Sequence, residues 1–348
     1  MIKPETAIRV LLVDDSRLVR DMIRSILESE PGIVVVGEAA NGVEAIAKVA
    51  SLQPDIVTMD IEMPIMGGLE AIEKIIAGNP VPILVVTALT GIRTAFAAVS
   101  KGALDVIEKP DIGPENVRNF VKKIRTLAKV NVSAHLLTMR GQSGTSGVCR
   151  RVIMANGSSR VAIVAIAAST GGPQAINTIL KQLPANFPAP IVVAQHIAEG
   201  FTEGMVDWLN LATPLNVKVA ENGDQLAAGS VYVNPAEHSM VITGQGMVVL
   251  GPGDARQVYH PSCNTLLSSL AAAYGKGVLG LIMSGMGDDG VLGMEAIRKA
   301  GGTTLAQDAG SSVIFGMNRL AVERGCIERV LSLGEIPAEL IQRAGGRP

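Results

Sequence analysis

Short apolar runs alternate with amphipathic stretches along the first 130 residues of the chain. A short apolar run bounded by polar residues is typical of a strand buried in a parallel sheet, whereas apolar positions three or four apart predict a helix. Residues 17–28 show the helical spacing, with Leu18, Met22, Ile26 and Leu27 predicted on one face. Apolar runs of the strand type lie at 8–13, 33–36, 55–59, 81–86 and 104–107. Five strand–helix units in succession predict an α/β fold with a doubly wound parallel sheet.

A second alternating pattern begins after residue 160. It predicts strands at 161–168, 191–194, 278–283 and 303–306, and helices at 173–182, 201–211, 265–274 and 290–300. Four short runs, at 217–219, 230–234, 240–243 and 247–250, are separated by Gly, Asn and Pro and predict an antiparallel flank. The second domain is therefore expected to be another doubly wound parallel sheet, Rossmann-like, with an antiparallel flank.

A polar stretch with a different character joins the two patterns. The segment GQSGTSG is typical of a flexible linker, and residues 130–160 contain four arginines but no Asp or Glu. We therefore predict a first domain at 1–129, a linker at 130–158 and a second domain at 159–348.

Composition narrows the function classes. The chain has 348 residues, a net charge of −2 and a pI near 6.1, which argues against nucleic acid as the main ligand because binding phosphates needs a basic face. Its three cysteines, Cys149, Cys263 and Cys326, form no C-x-x-C pair, so neither a zinc site nor a disulfide framework is predicted. The chain begins without a secretory signal pattern and has no apolar run of membrane length, so we expect a cytoplasmic protein.

Polar groups gather where the strands of the first predicted sheet end. Asp14 and Asp15 follow the first strand, Asp60 the third, Thr87 the fourth and Lys109 the fifth. Three carboxylates at one edge repel one another unless a hard divalent cation such as Mg²⁺ lies among them. The alternative is that these residues only cap helices and turns.

Four motifs identify the family that this first domain resembles. LLVDDS, VTMDIEMPIMGG, VVTALT and VIEKP together resemble the response-regulator receiver family over residues 8–128. The resemblance implies a flavodoxin-like fold and a histidine kinase that donates a phosphoryl group to Asp60. It implies Mg²⁺ as the cofactor, held by Asp15, the Asp60 carboxylate and the Glu62 backbone carbonyl, with Asp14 assisting. It further implies that Thr87 and Lys109 contact the phosphoryl oxygens.

Ser169 occupies the joint between a strand and a helix in the second domain, in the stretch AIAASTGGPQAI. One interpretation is a phosphate cradle, but the stretch matches neither G-x-x-x-x-G-K-[ST] nor G-x-G-x-x-G. A second is a helix N-cap, since Ser or Thr before Gly-Gly-Pro is a fair cap signal. A third is a nucleophile, which requires a general base and an orienting acid nearby.

Candidate partners for Ser169 lie at two other predicted strand ends. His196 ends the next apolar strand, and Asp288 and Asp289 follow a later one in MSGMGDDGVLGM. A Ser, a His and an Asp at three strand ends of one sheet are the set that a hydrolytic triad requires, although the chain order differs from that of α/β-hydrolases. His238 and His260 are weaker candidates for the base, and a lone cysteine such as Cys263 is usually a small packing residue.

Five further motifs resemble a second family. AIAASTGGP, VVAQHIAEGFT, HPSCNTLLSSLA, LIMSGMGDDGVLGM and TLAQDAGSSVIFGM, in that order, resemble the chemotaxis protein-glutamate methylesterase (CheB) family over about residues 161–335. The resemblance implies Ser169 as nucleophile, His196 as base and Asp289 as the acid, with Thr170 and Met286 bounding the oxyanion site. The family often has Arg-Pro-Ser-x-Asp where this chain has residues 260–264, HPSCN, and Gly-Met-Pro where it has residues 316–318, GMN.

The two resemblances together predict a function. They imply that the chain hydrolyses glutamate methyl esters on chemoreceptors, releases methanol and also deamidates receptor glutamines, under control of phosphorylation at Asp60. The implied partners are a chemotaxis histidine kinase and methylated chemoreceptors, with no nucleic acid and contact with a membrane only through the receptors. No cofactor is expected in the second domain. The alternative is a non-enzymatic signalling adaptor in which the receiver controls binding by an esterase-like domain.

Overall fold

The chain forms two compact units, residues 1–136 and 137–348. The structure is a computed structural model, and it describes residues 7–88, 92–110, 113–133, 161–253 and 260–345. The predicted linker at 130–158 lies outside the described residues from residue 134 onward, as do the four arginines of residues 130–160. No helix of the described part of the chain is long and apolar enough to cross a membrane.

The first unit contains one five-stranded parallel sheet with the strand order β2-β1-β3-β4-β5. Its strands are β1 (Ile8–Val13), β2 (Ile33–Ala39), β3 (Ile56–Met59), β4 (Ile83–Thr87) and β5 (Asp105–Glu108). Its helices are α1 (Arg17–Glu28), α2 (Gly42–Leu52), α3 (Gly68–Gly78), α4 (Ile92–Ser100) and α5 (Pro114–Leu127). The doubly wound sheet predicted from the alternating pattern is confirmed.

Local chemistry explains where these helices begin and which face they bury. Asn41 precedes α2, and its side chain accepts a hydrogen bond from the backbone N–H of Glu44, which satisfies one of the open donors of the first turn. On α1 the buried residues are Ile23, Ile26 and Leu27. Leu18 is 78 % exposed, so its predicted place on the apolar face was wrong. It lies in the first turn, outside the stripe that meets the sheet.

The second unit contains a seven-stranded parallel sheet, in the order β14-β13-β12-β6-β7-β9-β8, and a separate two-stranded antiparallel pair, β10-β11. Its strands are β6 (Ile163–Ala168), β7 (Ile191–Gln195), β8 (Asn216–Val219), β9 (Ser230–Val233), β10 (His238–Ile242), β11 (Val248–Pro252), β12 (Val278–Ile282), β13 (Thr303–Gln307) and β14 (Arg329–Leu331). Its helices are α6 (Gly172–Leu180), α7 (Thr202–Asn210), α8 (Cys263–Tyr274), α9 (Val291–Lys299), α10 (Met317–Glu323) and α11 (Ile336–Ala344).

The antiparallel flank is smaller than the sequence pattern predicts. Of the four short runs, only β10 and β11 pair antiparallel. β8 and β9 instead extend the main sheet as parallel strands, with β9 hydrogen-bonded to β7. Val231 and Val233 in β9 are fully buried, which is typical of strands in a parallel sheet covered on both faces. The strand β14 and the helices α10 and α11 were not predicted.

Helices α8 and α9 pack closely against each other beside the central strands. Gly293 makes this approach possible, because a Cβ at that position would lie 2.4 Å from the Cβ of Leu267 on α8. Both helices begin at the same edge of the sheet, at Cys263 and Val291. Their N-termini therefore meet where the central strands end.

The order of the strands reverses beside the first strand of each sheet. In the first unit β2 lies on one side of β1 and β3 on the other, and in the second unit β7 and β12 flank β6 in the same way. In open α/β sheets such a reversal opens a crevice at the carboxyl ends of the two strands. Each unit therefore offers one crevice. Asp14 and Asp60 follow the strands beside it in the first unit, and Ser169 and Asp289 follow those in the second.

Candidate active sites

The crevice of the first unit holds three carboxylates. Asp14 and Asp15 follow β1, and Asp60 follows β3. Asp14 is 3 % and Asp60 is 5 % exposed, whereas Asp15 is exposed. One carboxylate oxygen of each lies within 4.8 Å of the other two. The structure therefore brings together the three acidic residues that the sequence singled out.

Lys109 supplies the positive charge of this crevice. Its Nζ lies 2.7 Å from Asp14 Oδ2 and 2.9 Å from Asp60 Oδ2. Burial opposes the charged ammonium, but the hydrogen bonds to the two carboxylates outweigh it and raise the pKa of Lys109. For Asp14, burial also disfavours the charged form, and it raises the pKa of this carboxyl, although the hydrogen bonds from Lys109 and the Ser16 N–H act against it. A desolvated carboxylate of this kind is stabilised by a cation beside it.

The crevice fits a hard divalent cation. Oxygen atoms around one Mg²⁺ are roughly 2.9 to 4.2 Å apart when each lies about 2.1 Å from the metal. One oxygen of each of the three carboxylates lies within 4.8 Å of the other two, so their spacing is close to that range. Glu62 is exposed in the loop after β3, and Thr87 is buried at the end of β4, where its carbonyl accepts a hydrogen bond from the Lys109 N–H.

The crevice of the second unit begins at Ser169, which follows β6 directly. The N-cap of α6 is Gly171, with φ of 78°, and no side chain caps that helix. The interpretation of Ser169 as the N-cap was therefore wrong. Gly171 lies between Ser169 and the helix, in a left-handed backbone conformation that only Gly adopts readily. Ser169 is partly exposed, and its backbone N–H donates to Ser284 O over 3.0 Å.

His196 lies beside Ser169 because β6 and β7 end in register. Ala168 and Gln195 are the last paired residues, and the N–H of His196 donates to Ala168 O over 3.0 Å. The ring Nε2 of His196 lies 2.8 Å from Asp289 Oδ2, in the loop after β12. The side chain of His196 is 10 % exposed and that of Asp289 5 %. The structure thus pairs the predicted base with the predicted acid.

The surroundings of Asp289 favour its ionised form. Its Oδ2 accepts the Cys263 N–H over 2.7 Å, and its Oδ1 accepts the Asn264 N–H over 2.9 Å and the Gly290 N–H over 3.1 Å. Burial raises the pKa of this carboxyl, but the hydrogen bonds from His196 and from the backbone outweigh it, so the pKa of Asp289 is lowered. The start of helix α8 also favours a negative charge at this point.

Asn264 ties the two helix starts together around Asp289. Its backbone N–H donates to the carboxylate, while its side-chain Oδ1 accepts the N–H groups of Gly290 and Gly293 over 3.0 and 2.9 Å. These two N–H groups belong to the open first turn of α9. One side chain therefore caps α9 and holds α8 against the loop that carries Asp289.

Thr170 and Met286 lie on two segments that approach each other. Thr170 follows Ser169 and is 3 % exposed, and its carbonyl accepts the hydroxyl of Ser284 over 2.7 Å. Met286 follows Gly285, where a Cβ would lie 2.6 Å from the Cβ of Ser169. The segment of Met286 therefore passes directly beside Ser169.

The weaker candidates are exposed or are unsuited to the chemistry. His238 and His260 are exposed, at the start of β10 and before α8, and Asp288 is exposed beside Asp289. Cys263 does contact His196 Nε2, at 3.4 Å from its Sγ. However, it is fully buried, and burial raises the pKa of its thiol well above the usual value, so it is a poor nucleophile.

Gln195 and Asn264 were not assigned to the site from the sequence. Gln195 is 1 % exposed, and its side chain donates to Ser169 O and His196 O. The available signal was a polar residue that ends an otherwise apolar strand next to a candidate base. For Asn264 the only signal was a polar residue at a predicted helix start.

We predict that Asp289→Asn lowers the free energy of unfolding by about 3 kcal/mol near pH 7, since it leaves buried donors without a charged acceptor. Because folding lowers the pKa of Asp289, its stabilisation is full above the unfolded value and is lost as pH falls through the folded value. The gap between variant and wild type should therefore be constant from about pH 6 to 8 and shrink below about pH 4. Urea titrations of the full chain at each pH measure this difference in the free energy of unfolding.

The matched control for this variant is the exposed neighbour. Asp288→Asn changes the same chemical group one residue away and should alter the free energy of unfolding by less than about 0.5 kcal/mol. A gap for Asp289→Asn that widens as the solution is acidified would contradict the assignment of an ionised, hydrogen-bonded carboxylate.

Two family models and several named proteins match this chain. A family model described as CheB methylesterase matches residues 164–340, and a model described as response regulator receiver domain matches residues 10–122. The chain is 48 % identical to protein-glutamate methylesterase/protein-glutamine glutaminase 3 of Paramagnetospirillum magneticum, over 97 % of this chain and 96 % of that protein. It is 43 % identical to protein-glutamate methylesterase/protein-glutamine glutaminase 2 of Anaeromyxobacter dehalogenans, over 96 % of each.

One solved structure resembles the second unit. It is the CheB methylesterase catalytic domain of Thermotoga maritima, with 36 % sequence identity and a TM-score of 0.51, over 53 % of this chain and 99 % of that one. The identity and coverage of the full-length relatives, with both family models in the predicted order, decide the assignment. The chain belongs to the CheB family of protein-glutamate methylesterases, with an N-terminal response-regulator receiver domain.

Proposed function

We propose that this chain hydrolyses glutamate methyl esters on chemoreceptors and that phosphorylation of its receiver domain activates the reaction. Relatives named as protein-glutamate methylesterase and protein-glutamine glutaminase are up to 48 % identical to this chain over nearly its whole length. The observation that carries the proposal is the buried pair His196–Asp289, at 2.8 Å, on the edge where Ser169 leaves β6. A base oriented by an ionised acid beside a serine is the arrangement used for acyl transfer.

Each member of the triad has a distinct proposed role. The Ser169 hydroxyl attacks the ester carbonyl carbon, and His196 takes the hydroxyl proton and passes it to the departing methanol. Water then attacks the acyl-enzyme, with His196 again as base, and frees the glutamate carboxylate and the serine. Asp289 holds the imidazole in one tautomer and stabilises the imidazolium.

The contact between His196 and Asp289 determines which ring nitrogen acts as the base. Because ionised Asp289 is an acceptor only, the hydrogen lies on His196 Nε2, which faces Oδ2 at 2.8 Å. In the neutral ring, Nδ1 then carries the lone pair. We assign the proton transfer to Nδ1, the reverse of the nitrogen usage in chymotrypsin-type triads.

The oxyanion site is assigned to the backbone at Thr170 and Met286. The tetrahedral intermediate carries negative charge on the former carbonyl oxygen, and backbone N–H donors stabilise it best when they are fixed before the reaction. The hydroxyl of Ser284 fixes one of these segments, since it donates to Thr170 O and accepts the Ile314 N–H over 3.1 Å.

The same machinery accounts for glutamine deamidation. Attack of Ser169 on a glutamine amide gives the same acyl-enzyme and releases ammonia. An amide nitrogen is the poorer leaving group, so protonation by His196 matters more than in the ester reaction.

In the receiver domain we assign Asp60 as the phosphoryl acceptor. Lys109 lies 2.9 Å from its carboxylate, and the Ile61 N–H donates to its Oδ1 over 2.7 Å, which orients it. The residues that would hold Mg²⁺ are Asp14, Asp15, Asp60 and the Glu62 carbonyl. When bound, Mg²⁺ neutralises charge on the transferred phosphoryl group. Thr87 and Lys109 are the proposed contacts to the phosphoryl oxygens.

The remaining assignments follow from this function. The proposed partners are a chemotaxis histidine kinase, as phosphodonor, and methylated chemoreceptors, as substrates, and the proposed location is the cytoplasm. We keep residues 1–129, 130–158 and 159–348 as the receiver, the linker and the catalytic domain. The adaptor alternative gains no support from the site, because all three triad positions are filled and the base and acid are in contact.

We predict that the full-length protein releases methanol from membranes with methylated chemoreceptors, and that a small phosphodonor with Mg²⁺ increases the rate. Ser169→Ala should reduce the phosphodonor-stimulated rate at least about 1,000-fold, because a triad without its nucleophile keeps only residual catalysis. Ser239→Ala, a serine of strand β10 in the same unit, should keep the wild-type rate. No release by the phosphorylated wild type from several receptor preparations would make the adaptor the better description.

We predict that the protein incorporates phosphate from acetyl phosphate only when Mg²⁺ is present. Asp60→Asn should abolish incorporation, because the amide cannot form the acyl phosphate, and a chelator should do the same for the wild type. The control Asp21→Asn changes a largely exposed carboxylate on α1 and should leave labelling intact. Mass spectrometry of the labelled peptide reports the site, and phosphate on another residue would contradict the assignment.

A further inference from the structure

One buried amide joins the backbones of the proposed nucleophile and base. Gln195 is the last residue of β7, and it is 1 % exposed. The rest of this strand, IVVA, is apolar and buried. A polar side chain buried at the end of such a strand is stable only where hydrogen bonds replace its contacts with water.

Both donors of Gln195 are used on the two catalytic residues. Its Nε2 donates to Ser169 O over 2.8 Å and to His196 O over 2.9 Å. The side chain thus bridges from the end of β7 to the turn after β6. A backbone bond also crosses this gap, from His196 N to Ala168 O, the residue before Ser169.

The acceptor end of the amide makes no comparable contact. The Oε1 of Gln195 is buried and has no hydrogen-bond partner among the described residues. It faces Gly172, where a Cβ would lie only 2.0 Å from it. An unpaired buried acceptor is unfavourable. The two hydrogen bonds donated by Nε2 must offset the cost of the unpaired Oε1.

A role in packing alone would not need this group. A leucine or methionine of similar volume would fill the space without an unpaired oxygen, as the apolar residues of the rest of the strand do. The two donor bonds act on the backbone of Ser169 and His196 and touch no reacting atom. Their effect is therefore on the relative position of the nucleophile and the base.

We infer that Gln195 is a positioning residue, which fixes the backbone of Ser169 relative to that of His196 so that proton transfer between their side chains occurs in one geometry. The inference rests on the proposed esterase function. Misplacing reacting groups by about 1 Å costs on the order of 100-fold in rate, so the loss of this bridge should lower kcat with little change in KM.

The test compares Gln195→Leu and Gln195→Glu in the phosphodonor-activated, full-length protein, by methanol release from receptor membranes between pH 6 and 8.5. Both variants should lose roughly 10- to 100-fold in kcat at pH 8. In Gln195→Glu the ionised carboxylate faces two carbonyl oxygens and cannot donate. On protonation it regains one O–H donor, so its rate relative to wild type should rise as pH falls. Gln195→Leu should show no such recovery.

A control separates positioning from lost stability. Ile242 is a buried residue of strand β10 and makes none of the contacts described for the site. Its replacement by Ala removes core volume. It should lower the melting temperature and leave kcat unchanged at a temperature where it is folded.

Two outcomes would overturn the inference. Wild-type kcat in Gln195→Leu, with an active wild type, would show that the bridge does not position the catalytic residues. If both variants lost the same fraction of kcat at every pH, and their melting temperatures fell in parallel, Gln195 would be a structural residue only. Absence of methanol release from the wild type would instead remove the proposed function, and this inference with it.

Discussion

In both sheets the strand order reverses beside the first strand, and the residues at the centre of each candidate site depend on that reversal. Crossover connections leave a parallel sheet on opposite faces at such a point, so the ends of the two central strands stay uncovered. Asp14 and Asp60 follow β1 and β3 in one sheet, while Ser169 and Asp289 follow β6 and β12 in the other. The register of β6 with β7 then brings His196 level with Ser169. One topological rule thus places the proposed phosphoacceptor in one unit and the proposed acyl-transfer site in the other.

The two crevices treat buried carboxylates in opposite ways. Asp289 lies among backbone N–H donors at the starts of α8 and α9 and beside His196, and its pKa is lowered despite burial. Asp14 shares its crevice with two further carboxylates, and burial raises its pKa although Lys109 is close. An acid that is ionised at neutral pH suits the orientation of a histidine. A carboxylate cluster that burial destabilises suits a site that gains from a cation.

Sequence patterns predicted the five strands of the first sheet and the central strands of the second, with the polar residues that follow them, because buried parallel strands leave a simple apolar signature. They did not predict that β8 and β9 would join the main sheet, since the partner of a short apolar run depends on the tertiary structure. The choice of Asp289 over Asp288 came from family resemblance, and the structure adds a physical reason, because only Asp289 is buried among donors. The contributions of Gln195 and Asn264 could not be predicted, because they depend on the distance between segments remote in sequence.

Ser169 is the proposed nucleophile, and His196 is the base proposed to activate it. The most direct measurement treats the phosphodonor-activated, full-length protein with a serine-directed fluorophosphonate and maps the adduct by mass spectrometry. We expect one covalent adduct, on Ser169. In His196→Gln this adduct should form far more slowly. An adduct on another residue such as Cys263, or equal labelling of Ser169 in His196→Gln, would contradict it.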